Sequence, residues 1–189
     1  MFEVRIHGRG GQGVVTAAEL LSIAGFREGR HAQAFPSFGS ERTGAPVMAF
    51  CRIDDKPIRV REPVMTPDAL IIQDPTLLHQ VNLFQGLKPD GYVLINSAHG
   101  IAALGIDGLG HRQERLLTVP ASELALKHVG RPLPNAALLG GFSAFAGLVH
   151  LNSIKAAIAE KFSGAVAAAN IAAAEAAHDW VIAELKEAA

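Results

Sequence analysis

The residues best suited to chemistry lie in a glycine-rich stretch near the N-terminus, HGRGGQGVVTAAELL, residues 7–21. Gly8, Gly10 and Gly13 follow the spacing G-x-G-x-x-G between a strand pattern and a helical pattern. Such a loop lets another group approach the backbone closely, and it aims free N–H groups and the positive end of the helix at an anion. The stretch therefore predicts an anion-binding loop, to which Arg9 could add one positive charge.

The rest of a nucleotide-binding motif is missing. A loop that binds NAD is followed about 20 residues later, at the end of the second strand, by an acidic residue for the ribose hydroxyls. The second expected strand, HAQAFPSF, ends without one, because Glu28 lies before it. A nucleoside triphosphate loop ends in Lys followed by Ser or Thr, whereas this loop has Gln12. These gaps disfavour a stand-alone dinucleotide-binding oxidoreductase domain, which stays open as an alternative.

A second polar loop, PSFGSERTGAPV, spans residues 36–47. It places charged and hydroxyl side chains among glycines and prolines, a composition typical of loops that line sites. In an α/β sheet, loops at the carboxyl ends of the strands meet at one edge. We therefore expect the two loops to form one surface. The side chains concerned are those of Ser37, Ser40, Glu41, Arg42 and Thr43.

The hydrophobic pattern along the chain alternates between strand and helix periods. Strands are expected at residues 2–7, 31–38, 46–53, 68–74, 90–97 and 116–119, and helices at 14–26, 75–87, 122–129, 135–148, 153–162 and in the alanine-rich C-terminal segment. Residues 57–60 are expected to pair with 46–53 as an added β-hairpin, and Ser122 to cap the helix that it begins. This order predicts one α/β domain over residues 1–189, with a mostly parallel twisted sheet, helices on both faces and tight helix packing through small side chains near the C-terminus.

Composition excludes several classes of protein. Lys and Arg number 17 against 18 Asp and Glu, and the net charge of -1 gives no reason to expect nucleic acid as a partner. The single cysteine, Cys51, cannot form an internal disulfide or hold an iron–sulfur cluster unaided. We expect neither a membrane span nor an export signal, and therefore a cytoplasmic location. Catalytic and metal-ligand motifs are also missing, so we expect no catalytic residue and no metal site in this chain, and a structural role for His7.

Six blocks of the sequence, in their order and spacing, resemble the gamma subunit of 2-oxoacid:ferredoxin (acceptor) oxidoreductases. The blocks are HGRGGQGVVTAAELL, AQAFPSFGSERTGAPVMAFCRID, DKPI, IIQDPTLL, VLINS and PNAALLGGF. The likeness covers essentially the entire chain, and it is closest to the gamma subunits of the pyruvate-type enzymes.

The resemblance implies a part of a larger enzyme that oxidatively decarboxylates a 2-oxo acid to an acyl-coenzyme A. The 2-oxo acid would be pyruvate-like, or aromatic such as phenylglyoxylate. The resemblance also implies alpha, beta and delta-type partner subunits, which carry thiamine diphosphate, its Mg²⁺ and the iron–sulfur clusters. Ferredoxin or an NAD-reducing flavin subunit would accept the electrons. The gamma chain itself would be inactive alone and would lie near coenzyme A.

Carried over by position, the resemblance implies that the two loops contact coenzyme A or the neighbouring subunit. The residues concerned are Gly8, Arg9, Gly10, Gly11, Gln12 and Gly13 in the first loop, and Ser40, Glu41, Arg42, Thr43 and Gly44 in the second. A purely architectural subunit, whose loops serve only as an interface, stays open as an alternative. Asn135 in PNAALLGG is expected to be a helix N-cap.

Overall fold

The computed structural model describes residues 1–37, 43–106 and 109–188. The strands in these ranges are β1 (Phe2–Arg9), β2 (His31–Pro36), β3 (Pro46–Asp54), β4 (Ala69–Ile72), β5 (Tyr92–Asn96) and β6 (Leu116–Val119). The α-helices are α1 (Val14–Arg27), α2 (Ala121–Val129), α3 (Asn135–Ala146), α4 (Leu151–Lys161) and α5 (Gly164–Glu187). Among the described residues, no helix combines the length and the apolar character needed to cross a membrane.

The strands form one sheet in the order β2-β3-β1-β4-β5-β6. β1, β4, β5 and β6 are parallel neighbours, whereas β3 runs antiparallel to both β1 and β2. Parallel strands with both faces covered are apolar throughout, and ALII in β4 is buried at every residue. The prediction of an α/β fold with a mostly parallel sheet is confirmed.

The predicted hairpin partner of β3 is wrong. Residues 57–60 form no strand, because β3 already pairs with β1 along one edge and with β2 along the other. Both hydrogen-bonding edges of β3 are therefore occupied, and Pro57 has no N–H group to offer to a further ladder. The antiparallel addition to the sheet is instead formed by β2 with β3.

The two faces of the sheet are covered differently. The five α-helices named above pack on one face, where Val4 and Ile6 of β1 join the main core. The opposite face over β4, β5 and β6 is covered by loops and short 3-10 helices, which pack on Leu70, Ile72 and Val93. Helical segments thus lie on both faces, but the α-helices lie on one.

The helix predicted over residues 75–87 is wrong in length and type. Only Pro75–His79 is helical, as a 3-10 helix. In the non-helical part, the Nη2 atom of Arg5 donates to the carbonyl oxygens of Leu83 and Gln85 at 2.8 and 2.7 Å. A continuous α-helix to residue 87 would use the carbonyl of Leu83 for the amide of Leu87, and Gly86 departs from helical geometry with φ of 78°. At Leu83, a side chain from the sheet has therefore taken the carbonyl that the helix would have used.

Small side chains let α3 and α5 pack closely. α3 is buried over nearly its entire length, and α5 turns Ala173, Ala174 and Ala177 inward. Gly140 of α3 lies so close to the backbone carbonyl of Ala174 that a Cβ atom would overlap it. The expected tight packing near the C-terminus is confirmed.

Candidate functional site

The glycine-rich loop connects β1 to α1 at the carboxyl edge of the parallel strands, as predicted. Gly11 and Gly13 adopt left-handed backbone angles, with φ of 92° and 72°, which glycine tolerates and other residues adopt only with strain. Gly8 touches its surroundings closely, since an added Cβ would lie 2.6 Å from Cγ2 of Val14. The glycines therefore make the tight turn that leads into α1.

The first turn of α1 carries free backbone donors. Within the described part of the chain, the amides of Val14, Val15 and Thr16 make no hydrogen bond, and no side chain caps the helix. A Cβ added to Gly11 would meet nothing within 4 Å, so this position of the loop faces open space. The N-terminus of α1 can therefore bind an anion, because its free amides donate hydrogen bonds and the helix dipole attracts negative charge.

Arg9 is held inside the site by four acceptors. Its Nε atom lies 3.1 Å from Oδ2 of Asp74, and its Nη1 atom donates to the carbonyl of Gly44 at 3.0 Å. Its Nη2 atom donates to Oγ1 of Thr76 at 2.8 Å and to Oε1 of Gln80 at 2.9 Å. These bonds join the glycine loop to the second loop and to the segment after β4.

Gln12 ties the same loop to the same carboxylate. Its Nε2 atom donates to Oδ2 of Asp74 at 2.9 Å, and its Oε1 atom accepts from the amide of Arg9 at 2.7 Å. Partial burial by itself raises the pKa of the Asp74 carboxyl. Hydrogen bonds from Thr76 and Gln12, together with the charge of Arg9, outweigh burial and hold that pKa below its ordinary value. Asp74 is therefore an anion at neutral pH, and it anchors the loop.

The second loop meets the first, as predicted. The amide of Gly10 donates to the carbonyl of Ala45 at 2.9 Å, and the amide of Gly44 donates to the carbonyl of Gly10 at 3.1 Å. Thr43 pairs with Gly10 as an isolated parallel bridge. The expected site residues that fall outside the described ranges are Ser40, Glu41 and Arg42. For the described end of the second loop, one common surface is confirmed.

Asn135 supports the loop from α3. The helix begins at Asn135 with Pro134 in the N-cap position, so the predicted N-cap role of Asn135 is wrong by one residue. Its Oδ1 atom accepts from the amide of Ala136 at 2.9 Å. A Cβ added to Gly13 would lie 2.5 Å from the Nδ2 atom of Asn135. Position 13 therefore lies in close contact with the Asn135 side chain of α3, and its left-handed backbone angle is what favours glycine there.

A buried amide network, which sequence patterns missed, continues the same edge. Asn96 at the end of β5 donates from Nδ2 to the carbonyl of Gln73 and to Oγ of Ser122, both at 2.8 Å. Its Oδ1 atom accepts from the amide of Ser122 at 3.0 Å. α2 begins at Ala121, so the predicted N-cap role of Ser122 is wrong, and Asn96 satisfies this amide from a neighbouring strand. In the sequence, the one sign of this network is that the apolar strand YVLIN ends in a polar residue, Asn96.

Replacing Asn96 with alanine is expected to lower the free energy of unfolding by about 1.5 kcal/mol, because a helix amide and a buried carbonyl both lose their partner. Urea denaturation of the purified chain measures the loss. Asn152, which is exposed on α4, supplies the matched control, and its change to alanine should leave unfolding nearly unchanged. Equal unfolding midpoints for the two variants would contradict the role of Asn96.

The opposite face of the sheet holds a cavity of about 430 Å³, with Arg5 and His7 of β1 in its lining. Both side chains are buried. Nε of Arg5 donates to Nε2 of His7 at 3.0 Å, which places the imidazole proton on Nδ1. Burial, and then the charge of Arg5, lower the pKa of His7 from 6.5 to about 3. His7 is therefore a neutral, hydrogen-bonded histidine within its strand.

Comparison with known proteins decides the family. The family described as pyruvate ferredoxin/flavodoxin oxidoreductase matches this sequence over residues 3–180. The chain belongs to this family. The glycine loop, the described end of the second loop and the Asn96 network all fall within the matched residues.

Relatives in this family match over nearly their full length. The pyruvate/ketoisovalerate oxidoreductases common subunit gamma of Thermococcus kodakarensis is 47% identical over 175 residues, which cover 93% of this chain and 94% of that relative. The pyruvate synthase subunit PorC of Methanocaldococcus jannaschii is 46% identical over 182 residues, 96% of this chain and 98% of that relative. The crystal structure of pyruvate oxidoreductase subunit PORC from Thermotoga maritima superposes with a TM-score of 0.82 at 34% identity, over 94% of this chain and 95% of that one. The resemblance seen in the sequence is confirmed.

Proposed function

We propose that this chain is the gamma subunit of a multi-subunit, thiamine diphosphate-dependent 2-oxoacid:acceptor oxidoreductase of the cytoplasm. The observation that carries the proposal is the full-length similarity to a common gamma subunit and to a PorC subunit, at 47 and 46% identity. The names of those relatives refer to pyruvate and ketoisovalerate. Pyruvate is therefore the first substrate to test, followed by branched and aromatic 2-oxo acids such as phenylglyoxylate.

In the proposed enzyme, a 2-oxo acid anion and coenzyme A give an acyl-coenzyme A, carbon dioxide, one proton and two electrons. Partner subunits of alpha, beta and delta type hold thiamine diphosphate, its Mg²⁺ and the iron–sulfur clusters. The electrons pass to ferredoxin or, through a flavin subunit, to NAD. This chain supplies no catalytic residue, and it helps to form the coenzyme A site. Alone, it would not oxidise a 2-oxo acid with a redox dye.

The proposed contact with coenzyme A is made by the backbone of the glycine loop. The amides in the first turn of α1 and the positive end of that helix suit a phosphate group, and Gly11 faces open space. The side chains of Arg9 and Gln12 bind Asp74 within the chain. We therefore assign ligand contact to the loop backbone, and the positioning of the loop to Arg9 and Gln12.

Gly11→Ala tests this contact in the assembled enzyme. The variant is expected to raise the apparent KM for coenzyme A about tenfold with little change in kcat, because a methyl group would occupy ligand space without removing a reacting group. Initial rates with pyruvate and a viologen dye measure both constants. Gly29→Ala is the matched control, since Gly29, just beyond the other end of α1, has φ of 78° and similarly open surroundings. Both variants carry comparable backbone strain.

Two results would count against these assignments. An unchanged KM for coenzyme A in Gly11→Ala would remove the loop from the coenzyme A site and favour the architectural alternative. The gamma-subunit assignment itself is tested by native mass spectrometry of the tagged chain purified from its source. It would be wrong if no alpha or beta-type subunit co-purified with the chain.

A further inference from the structure

The described residues cover the sheet face opposite the α-helices only in part. The cavity that contains Arg5 and His7 opens on this face, over β1 and β3, and its remaining wall is mainly apolar. The apolar wall includes Met48, Phe50, Val64, Met65, Leu77 and Val81. We call this surface, with the cavity at its centre, the bare face.

Large apolar side chains around the cavity are exposed. Met65 is 67% exposed, Val81 43% and Met48 37%. All three line the cavity, so its mouth is open and apolar, whereas a pocket built for a small molecule encloses most of its ligand. Exposed apolar side chains grouped at one place in this way favour an interaction surface.

The cavity also contains a positive charge, that of Arg5, for which the described residues provide no acidic partner. Arg5 donates to the backbone carbonyls of residues 64, 83 and 85 and to the imidazole of His7. Neither Arg5 nor His7 forms an ion pair with a carboxylate of the described residues. Because buried charges are normally paired and His7 is neutral, an anion would complete this site.

The segment that leads to the cavity is basic as well. Residues 56–65, KPIRVREPVM, contain Lys56, Arg59 and Arg61 against Glu62. All four charged side chains are exposed, and within the described ranges none of them forms an ion pair. The segment reaches the cavity through Pro63, Val64 and Met65, which line it, so its excess of positive charge lies next to the cavity in the sequence.

We propose that the bare face binds another subunit of the same oxidoreductase, through an acidic segment that inserts apolar side chains into the cavity. The inference rests on the proposed function, which gives this chain its partner subunits. The apolar anchors cover Met65 and Val81, one carboxylate pairs with Arg5, and further acidic groups face Arg59 and Arg61. Apolar area supplies the affinity of such an interface, and complementary charge supplies its orientation and association rate.

Met65→Glu and Val81→Glu test the contact, each as a single variant. Both positions are exposed, so the free chain should fold as before, which circular dichroism checks. Each new carboxylate would face an acidic partner in an apolar environment. We therefore expect the dissociation constant between this chain and its partner subunits to rise at least about tenfold. Native mass spectrometry and sedimentation of separated and recombined subunits measure it. Leu126→Glu is the control, because Leu126 is 55% exposed on α2, on the helix-covered side, and it should assemble like the unaltered chain.

The charge of the bare face is tested by the double variant R59E/R61E. It is expected to slow association with the partner subunits about tenfold, and the association rate of the unaltered chain is expected to fall as salt is added. Stopped-flow mixing of the separated subunits measures both rates. An association rate that is unaffected by the double variant and by salt would overturn the acidic character assigned to the partner.

The inference and the proposed function fail in different ways. Normal assembly of both Met65→Glu and Val81→Glu, or an equal loss with Leu126→Glu, would overturn the docking role while the gamma-subunit assignment stands. Failure of the unaltered chain to assemble with any alpha or beta-type subunit would overturn the proposed function. Calorimetric binding of pyruvate or coenzyme A to the isolated chain that Met65→Glu abolishes would make the bare face a ligand pocket and overturn the inference.

Discussion

Replacing Gly140 with alanine is expected to lower the free energy of unfolding by about 3 kcal/mol, the upper end of the range for overpacking. A Cβ atom at this position of α3 would overlap the backbone oxygen of Ala174 in α5 and lie 2.7 Å from its Cα. A side chain could rotate away, but a carbonyl within a helix cannot. α3 and α5 must therefore separate, and the better helix propensity of alanine, about 1 kcal/mol, does not offset that loss.

The next residue of α3 provides the control. A Cβ atom on Gly141 would lie 3.3 Å from Cγ2 of Val181, a side-chain atom that can shift by a few tenths of an ångström. Gly141→Ala should therefore unfold with a free energy equal to, or slightly above, that of the unaltered chain. Urea denaturation of the two purified variants measures the difference. Similar midpoints for Gly140→Ala and Gly141→Ala would contradict the backbone contact between α3 and α5.

Lowering the pH is expected to destabilise the chain through His7. Its pKa in the folded chain, about 3, lies below the ordinary value of 6.5, so between these values the unfolded chain binds the extra proton and stability falls as the pH falls. From about pH 7.5 to about pH 5, the loss from this one group should reach about 2 kcal/mol. Urea denaturation at the two pH values measures it.

His7→Gln isolates this contribution. A glutamine oxygen can accept the hydrogen bond from Arg5 but does not titrate, so the variant should lose most of the pH dependence over the same range. His99 is exposed, and His99→Gln should retain the dependence of the unaltered chain. A pH dependence in His7→Gln as steep as in the unaltered chain would show that another group, and not His7, causes the destabilisation.

The strand, loop and helix at the N-terminus were predictable because they depend on local chemistry. The alternation in β1, the spacing of the glycines and the helical period of α1 each act over a few residues. The structure has these elements at Phe2–Arg9 and Val14–Arg27. β4 and β5 were equally predictable, because a parallel strand covered on both faces must be apolar throughout.

The errors have a common physical cause, which is competition from distant parts of the chain. Residues 57–60 have a strand pattern, but β2 occupies the edge of β3 that they would need. The segment after His79 has a helical pattern, but Arg5 takes the carbonyl of Leu83, which a helix would use for the amide of Leu87. In both cases a tertiary contact satisfies a backbone group that the local pattern assigned elsewhere.

The candidate site was predictable in place but not in detail. Glycine spacing alone placed a loop at the start of α1, and the polar composition of residues 36–47 indicated the second loop. The hydrogen bonds from Arg9 and Gln12 to Asp74 were not predictable, because these donors lie 65 and 62 residues from Asp74 in the sequence. The capping of α2 by Asn96 joins residues 26 apart, on different elements.

By itself, the sequence determined the α/β class, the place of the glycine loop before α1 and the family, because periodicity, glycine spacing and the order of motifs are properties of the linear chain. Only the tertiary structure decided which side chains hold that loop and, among the described residues, which sheet face lacks α-helices and where a buried cation has no carboxylate partner. These features depend on the strand order β2-β3-β1-β4-β5-β6, which brings distant residues together and which no local pattern encodes.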